Sequence, residues 1–535
     1  MKRFLFLSCV CVMSVSVVAQ GYVQINYTDG TSRQYPLDIV DSLQDDLSTN
    51  KIKMTLPASE KITPTSVIQE SLVQLSKADV KQSFNQLLSV SFDQAQNIGK
   101  LQNDVSVKMN GRSSVSLVLP YVTDFTRLKV KLETTGSYVY LNGTKYDENT
   151  SYDFSNPVKV QVVAFNGDVC SYQLKVTNSS LPILSVDGSS TITDKWTEKN
   201  ITISSNSGSV IFAKTTGKVK GKGSHFKNGL KNSYNLKFEE KQSILDFASA
   251  KRWVLLSSQF DPSLLRIPVG FDLARQLFTF DWVPSVEPVD LMVDGQYMGT
   301  YFLMEQIRVC KGRVEDGYII SAESEVSVDD DAFTTSLSQT RWVVKDPESG
   351  FAGAPLIRTK QKLDLLESNL KKNVSVSENL ADLKSFADWF VFQEWLKNSD
   401  MLNSDDYMTV RSNGILAMGP IDEQSKSFGS DDEFDVSGWV SKDYAFVSWL
   451  LNNKTFRQYV SDRLDYLTNH QEDILSIVEK RYAAIIDGAS GNEVTWHSLN
   501  AEQVDVETVT SELEKRKLQK VEWLVNRLQC MKQNF

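Results

Sequence analysis

The chain has 535 residues and a formal net charge of −10, from 57 Lys and Arg against 67 Asp and Glu. That length exceeds one ordinary domain and predicts two or three, and a hydrophobic fraction of 41% is ample for real cores. The acidic balance argues against a broad nucleic-acid-binding role, because phosphate affinity needs clustered Lys and Arg.

Residues 1–20, MKRFLFLSCVCVMSVSVVAQ, begin basic, run apolar from Phe4 to Ala19 and then turn polar. This is the pattern of a cleaved secretory signal peptide and predicts a secreted, periplasmic or cell-surface protein with no membrane span after cleavage. The remainder keeps Cys170, Cys310 and Cys530, an odd and dispersed set that makes no disulfide framework. Next, GYVQINYTDGTSRQYPLDIVDSL alternates at Val23, Ile25 and Tyr27 and turns at Asp29-Gly30, so 21–100 reads as a short hairpin and linker with some helix around 66–88. From 101 to 178 the alternation of Val105, Val107 and Met109, of Val115, Leu117 and Leu119, of Val158, Val160 and Val162, and of Tyr172, Leu174 and Val176 predicts an antiparallel β-sandwich of immunoglobulin-like size. It serves as a spacer or as a binding module for glycan or protein. All ten tryptophans lie at or after Trp196, a compositional shift that marks a different domain over 181–535.

That domain carries the chemistry. KTTGKVKGKGSHFKNGLKNSYNLKFEEK holds eight lysines from Lys214 to Lys241, and Gly221 and Gly223 would let backbone N–H groups approach an anion. In AKRWVLLSSQFDPSLLRIPVGFDLARQL, Trp253 to Leu256 form a buried strand, Asp261 and Pro262 open a helix, and Pro268 bends it. A hairpin turning at Asp294-Gly295 ends at Glu305, and the acidic, Ser-rich stretch 324–360 reads as a surface insertion. Then an apolar helix carries Leu383, Phe386, Trp389, Phe390, Phe392, Trp395 and Leu396. A polar loop, KNSDMLNSDD, follows it, then a hairpin turning at Asn413-Gly414 and the corner GPIDE. The C-terminal helix is amphipathic on Leu513, Leu518, Val521, Leu524 and Leu528.

Taken together, these segments resemble the CotH kinase family, spore coat protein H-like proteins with an atypical protein-kinase-like fold. Asn398 and Asp400 match an NxD loop, Gly419 and Pro420 match the following GP, and Glu423 stands where the family has its first metal-binding Asp. Asp422, Gln424 and Ser425 replace the Trp, Phe and second Asp of that motif, Asn235 replaces an Arg in YNLKF, and Ile267 replaces an Asn after Arg266. The resemblance implies a multidomain secreted protein of Bacteroidetes type, with an N-terminal all-β sandwich followed by an α+β kinase-like domain. It would bind ATP with Mg²⁺ or Mn²⁺ and transfer the γ-phosphoryl group to a protein hydroxyl.

Under that resemblance Asp400 is the catalytic carboxylate and Lys237 the phosphate-contacting lysine. Gly221, Gly223 and Glu305 border the nucleotide, Glu305 either touching it or forming a structural ion pair. Glu423 holds the metal with Asn403 or Asp405, and Asp431, Asp432 and Asp435 are near enough in sequence to compensate for Ser425. The alternatives are a catalytically impaired pseudokinase acting as a scaffold, and an adhesion or glycan-binding protein that uses the β-sandwich.

Overall fold

The computed structural model describes residues 84–535 apart from 102–103, 120–121, 123, 165–166, 224–230, 260, 325–330, 348–352, 400, 403–405, 425–426 and 429–434. It also describes four short strands nearer the N-terminus, β1 (Tyr22–Asn26), β2 (Ser32–Pro36), β3 (Ser42–Asp46) and β4 (Lys51–Thr55), paired β1 with β2 and β3 with β4. The signal-peptide reading of 1–20 lies outside the described residues.

The N-terminal region is β-rich. Its strands are β5 (Leu87–Phe92), β6 (Val105–Lys108), β7 (Ser114–Val118), β8 (Lys131–Thr134), β9 (Tyr138–Leu141), β10 (Thr144–Lys145), β11 (Val158–Val163) and β12 (Val169–Thr177). They form a three-stranded sheet, β6-β5-β8, and a five-stranded sheet, β10-β9-β11-β12-β7. Alternation puts Val158, Val160 and Val162 of β11 inside, with Tyr172, Leu174 and Val176 of β12. Strand β5 lies in a stretch whose Ser and Gln content reads as linker, yet Leu87, Val90 and Phe92 are buried.

The remainder is mixed α/β and opens with a closed barrel. Its staves are β13 (Ile183–Asp187), β14 (Thr197–Ser204), β15 (Val210–Gly221), β16 (Tyr234–Gln242), β17 (Ala250–Leu256), β18 (Val286–Val293) and β19 (Gln296–Glu305), in the order β13-β14-β15-β16-β17-β19-β18. β13 closes the ring by pairing parallel with β18, Ile183 opposite Asp290 and Val186 opposite Val293. The interior is filled by Leu184, Ile201, Leu236, Trp253, Leu255 and Leu303. Alternate residues of β17 and β19, Val254, Leu256, Phe302 and Met304, face outward into a second core.

Helix α1 (Arg266–Leu277) joins β17 to β18. It starts four residues later than the Asp-Pro pair predicts: Asp261 caps it from a distance, accepting the Arg266 N–H at 2.6 Å and the Ser263 hydroxyl at 2.5 Å. Pro268 therefore falls in the first turn, where its missing N–H breaks no intrahelical bond. A second sheet follows, β21-β22-β20-β23-β24, built from β20 (Tyr318–Ala322), β21 (Ala332–Thr334), β22 (Arg341–Asp346), β23 (Asp406–Val410) and β24 (Leu416–Met418). β22 buries Trp342 and Val343, so this part of 324–360 is a sheet strand rather than a surface insertion. The helices are α2 (Ala354–Lys371) and α3 (Leu383–Trp395), which touch this sheet at β21 and β24, then α4 (Ala445–Asn452), α5 (Lys454–Asn469), α6 (Gln471–Trp496), which packs on β18 and β19 of the barrel, and α7 (Val506–Asn534).

Helix α3 is buried nearly all round, and its two inward carboxylates are neutralised by arginines. Asp388 takes Arg463 at 2.7 and 3.0 Å; Glu394 takes Arg527 at 3.2 Å and the N–H groups of Val440 and Ser441. On α7, Leu513, Leu524 and Leu528 are buried whereas Leu518 is 56% exposed, because Lys517 and Lys520 turn inward in its place. Among the described residues no helix is long and apolar enough to cross a membrane.

Candidate active site

The site grows from the C-terminus of α3. Lys397 reverses the chain with φ +52°. Asn398 then folds back so that its N–H donates to the Gln393 carbonyl at 3.0 Å and its side-chain amide to Gln393 Oε1 at 2.9 Å. At the other end of the loop Asp406, 2% exposed, accepts from Trp389 Nε1 at 2.7 Å, from Gln393 Nε2 at 2.9 Å and from the Leu402 N–H. One glutamine thus ties together both ends of the loop, a link no motif announces. Asp400, Asn403 and Asp405, the loop's sequence candidates, lie outside the described residues.

β23 and β24 carry the chain to Gly419, whose N–H donates to Tyr407 O at 2.8 Å and whose carbonyl accepts from Thr409 Oγ1 at 3.1 Å. Its φ of +110° and a would-be Cβ only 3.2 Å from the Phe280 ring require glycine here. The Gly419-Pro420 peptide is cis. Beyond it Ile421, Asp422 and Gln424 are buried. Tyr407 donates to Asp422 Oδ2 at 3.5 Å, and Gln424 fits over Gly270, where a Cβ would lie 3.0 Å from its Cγ. Gln424 is satisfied internally: Ser427 Oγ donates to Gln424 Oε1 at 2.7 Å.

Between these buried neighbours Glu423 keeps a quarter of its side chain exposed and meets Lys222 Nζ at 3.2 Å. Lys222 sits between the two candidate glycines. Gly221 ends β15 with its N–H already donated to Thr193 O at 2.8 Å, so that amide is spent in the barrel and is not offered to a ligand. Gly223 has φ +78° and open space where a Cβ would stand. The lysine brought to the acidic corner is thus Lys222, whose only advance signal is the GKG tripeptide.

Lys237 stands elsewhere on the same sheet face. Lys222 N–H donates to Ser233 O at 2.9 Å, and Lys237 lies four residues along from Ser233, about 13 Å at the rise of a strand. It faces Lys218 and Arg252. Glu305 points into the barrel, 2% exposed, where Oε2 accepts the Ser285 N–H at 2.9 Å and Oε1 lies 3.5 Å from Arg313 Nε. Arg313 in turn covers the Trp253 ring at 4.9 Å. Of the two roles open to Glu305, the geometry is that of the structural ion pair.

Asp435 pairs with Lys397, Nζ to Oδ2 at 3.4 Å, and hydrogen bonds from Ser437 hold its carboxyl down at about 2. Asp431 and Asp432 lie outside the described residues. Among the described residues no three His, Cys, Asp or Glu side chains gather to hold a metal ion, and the carboxylate of Glu423 is engaged by an ammonium. Of the three sequence candidates for the metal, Glu423 alone is among the described residues.

Among the described residues the site brings a glycine-flanked lysine to a carboxylate within a mixed α/β region. The chain belongs to the CotH kinase protein family, whose sequence model matches residues 219–531, more than half of its length. No curated protein matches it.

Proposed function

We propose that this chain is a kinase-like CotH protein working outside the cytoplasm, which binds ATP and transfers its γ-phosphoryl group to a Ser or Thr hydroxyl of a protein. The observation that carries the reading is the Lys222–Glu423 pair at 3.2 Å within the family-matched region. Both side chains keep about a quarter of their surface exposed, so a phosphate oxygen can reach Lys222 and displace Glu423 from it. Lys222 then neutralises phosphate charge, and the Gly223 amide adds a backbone donor.

In the transfer the acceptor oxygen bonds to the γ-phosphorus, the bond from that phosphorus to the β,γ-bridging oxygen breaks, and ADP leaves. Asp400 receives the hydroxyl proton or orients it. Mg²⁺ or Mn²⁺ belongs to the proposal with Glu423 and either Asn403 or Asp405 as holders, and supplies charge neutralisation when bound.

The test is transfer of labelled γ-phosphate by the full chain, beside Lys222→Ala, Asp400→Ala and Glu423→Ala. Loss of transfer in all three supports the assignment. Absent transfer with an ATP-induced rise in Tm would make the protein a nucleotide-binding pseudokinase, and neither signal would retire the reading.

A further inference from the structure

The outer face of the barrel next to the site holds an arrangement that strand pairing disfavours. Lys218 on β15, Lys237 on β16 and Arg252 on β17 stand directly opposite one another, and like charges in that relation destabilise a sheet. All three lie on the outer face, since their neighbours Val219, Leu236 and Trp253 fill the barrel. At one end β14 places Glu198 opposite Lys218, and Glu239 lies 3.6 Å from Lys218 Nζ. Lys237 has no carboxylate at ion-pair distance among the described residues.

Beside this row Lys220 faces the Trp196 ring at 5.0 Å, and Arg252 approaches the same ring at 5.6 Å. The half-buried indole holds two cations at the surface. Along β15 and one residue past its end, Lys218, Lys220 and Lys222 follow at two-residue spacing, a stripe of about 13 Å that ends on the residue paired with Glu423.

We propose that this row and stripe form the docking surface for an acidic polypeptide segment, the carboxylate-rich flank of the protein acceptor. Charge complementarity selects that occupant: the chain is acidic overall, with net charge −10, and concentrates cations on one sheet face leading to its site. An extended peptide matches both the length of the stripe and its period, every second residue facing the sheet. The word acceptor rests on the function proposed above, whereas binding itself needs no ATP, so the two readings fail separately.

The experiment measures fluorescence anisotropy of a labelled Glu-Ser peptide and a Gln-Ser counterpart against the full chain at low salt. The Glu-Ser peptide is expected to bind at least about tenfold more tightly, the equivalent of ~1.4 kcal/mol, and to weaken as salt shortens the ~10 Å screening length. Lys218→Gln with Arg252→Gln should lower the affinity by about tenfold, and Glu198→Gln, which deletes the opposing carboxylate, should raise it. Equal binding of both peptides, or insensitivity to these variants, overturns the proposal. Tighter binding of a single-stranded oligonucleotide overturns it too by assigning the row to phosphates.

Discussion

Asp406→Ala is the perturbation that reads most directly how the acidic loop is held. The wild-type carboxylate is 2% exposed and accepts Trp389 Nε1 at 2.7 Å and Gln393 Nε2 at 2.9 Å, with the Leu402 N–H as a third donor. Trp389 and Gln393 are themselves buried, so alanine leaves two donors without partner or water, at about 1–3 kcal/mol each. Removal of a desolvated carboxylate returns part of that, which leaves a net loss of about 2–4 kcal/mol. Asp406→Asn keeps one acceptor oxygen but turns an NH₂ toward a donor, so its loss should be about half as large. The assay is urea unfolding of the full chain, with limited proteolysis around 397–405 as a local readout. A loss below about 1 kcal/mol for alanine, with unchanged cleavage, would refute the view that this carboxylate anchors the loop.

A buried pair of titrating groups should shape the pH dependence. Burial pushes the Lys231 ammonium down to about 7 and the Asp290 carboxyl up to about 6. An unfolded lysine keeps its proton to about 10.4, so between pH 7 and ~10 the unfolded chain binds more protons and stability rises with pH. For Asp290 the folded chain binds more protons between ~4 and 6, so stability falls as pH rises through that window. Urea midpoints should therefore dip between pH 6 and 7 relative to Lys231→Met with Asp290→Asn, and an unchanged profile in that variant would sink the account. Arg527→Ala removes donors to the carbonyls of Glu394, Val436 and Gly438 and the counter-charge of the Glu394 carboxylate, which keeps the Val440 and Ser441 donors; unfolding experiments should show a loss of about 3 kcal/mol. Gly488→Ala places a Cβ 2.4 Å from Leu181 Cδ1 and 2.7 Å from Thr300 Oγ1, and should lower stability by about 1–3 kcal/mol, measured as a shift in Tm.

Local rules made much of this fold legible. Asp294-Gly295 and Asn413-Gly414 each turn a hairpin as their residue types require; alternation identified β11 and β12, and a continuous apolar run identified β17. Strands β5 and β22 escaped because polar flanks mask short apolar runs; the burial of Trp342 depends on strands whose positions its own sequence neighbours do not encode. At the site, the motif spacing located Gly419 and Glu423 but not the partner of Glu423. Lys222 lies 201 residues earlier, and eight lysines in one segment are equivalent until strand register assigns each a face and a height. How the corner accommodates Gln424 was likewise unreadable in advance, since it rests on a glycine on α1 and a serine three residues on.

Closure of the barrel also sets where this protein can be cut. The family match begins at residue 219, inside β15, yet the ring needs β13 and β14, which lie wholly upstream. A fragment trimmed to the matched segment would lose two of seven staves and most of a third. The edges of β16 and β18 would then stand unpaired, with their N–H and C=O groups open to any strand that reaches them. Family boundaries and folding boundaries therefore differ by some forty residues at this end, a shortfall expected to appear as aggregation of the trimmed fragment rather than as a modest loss of stability.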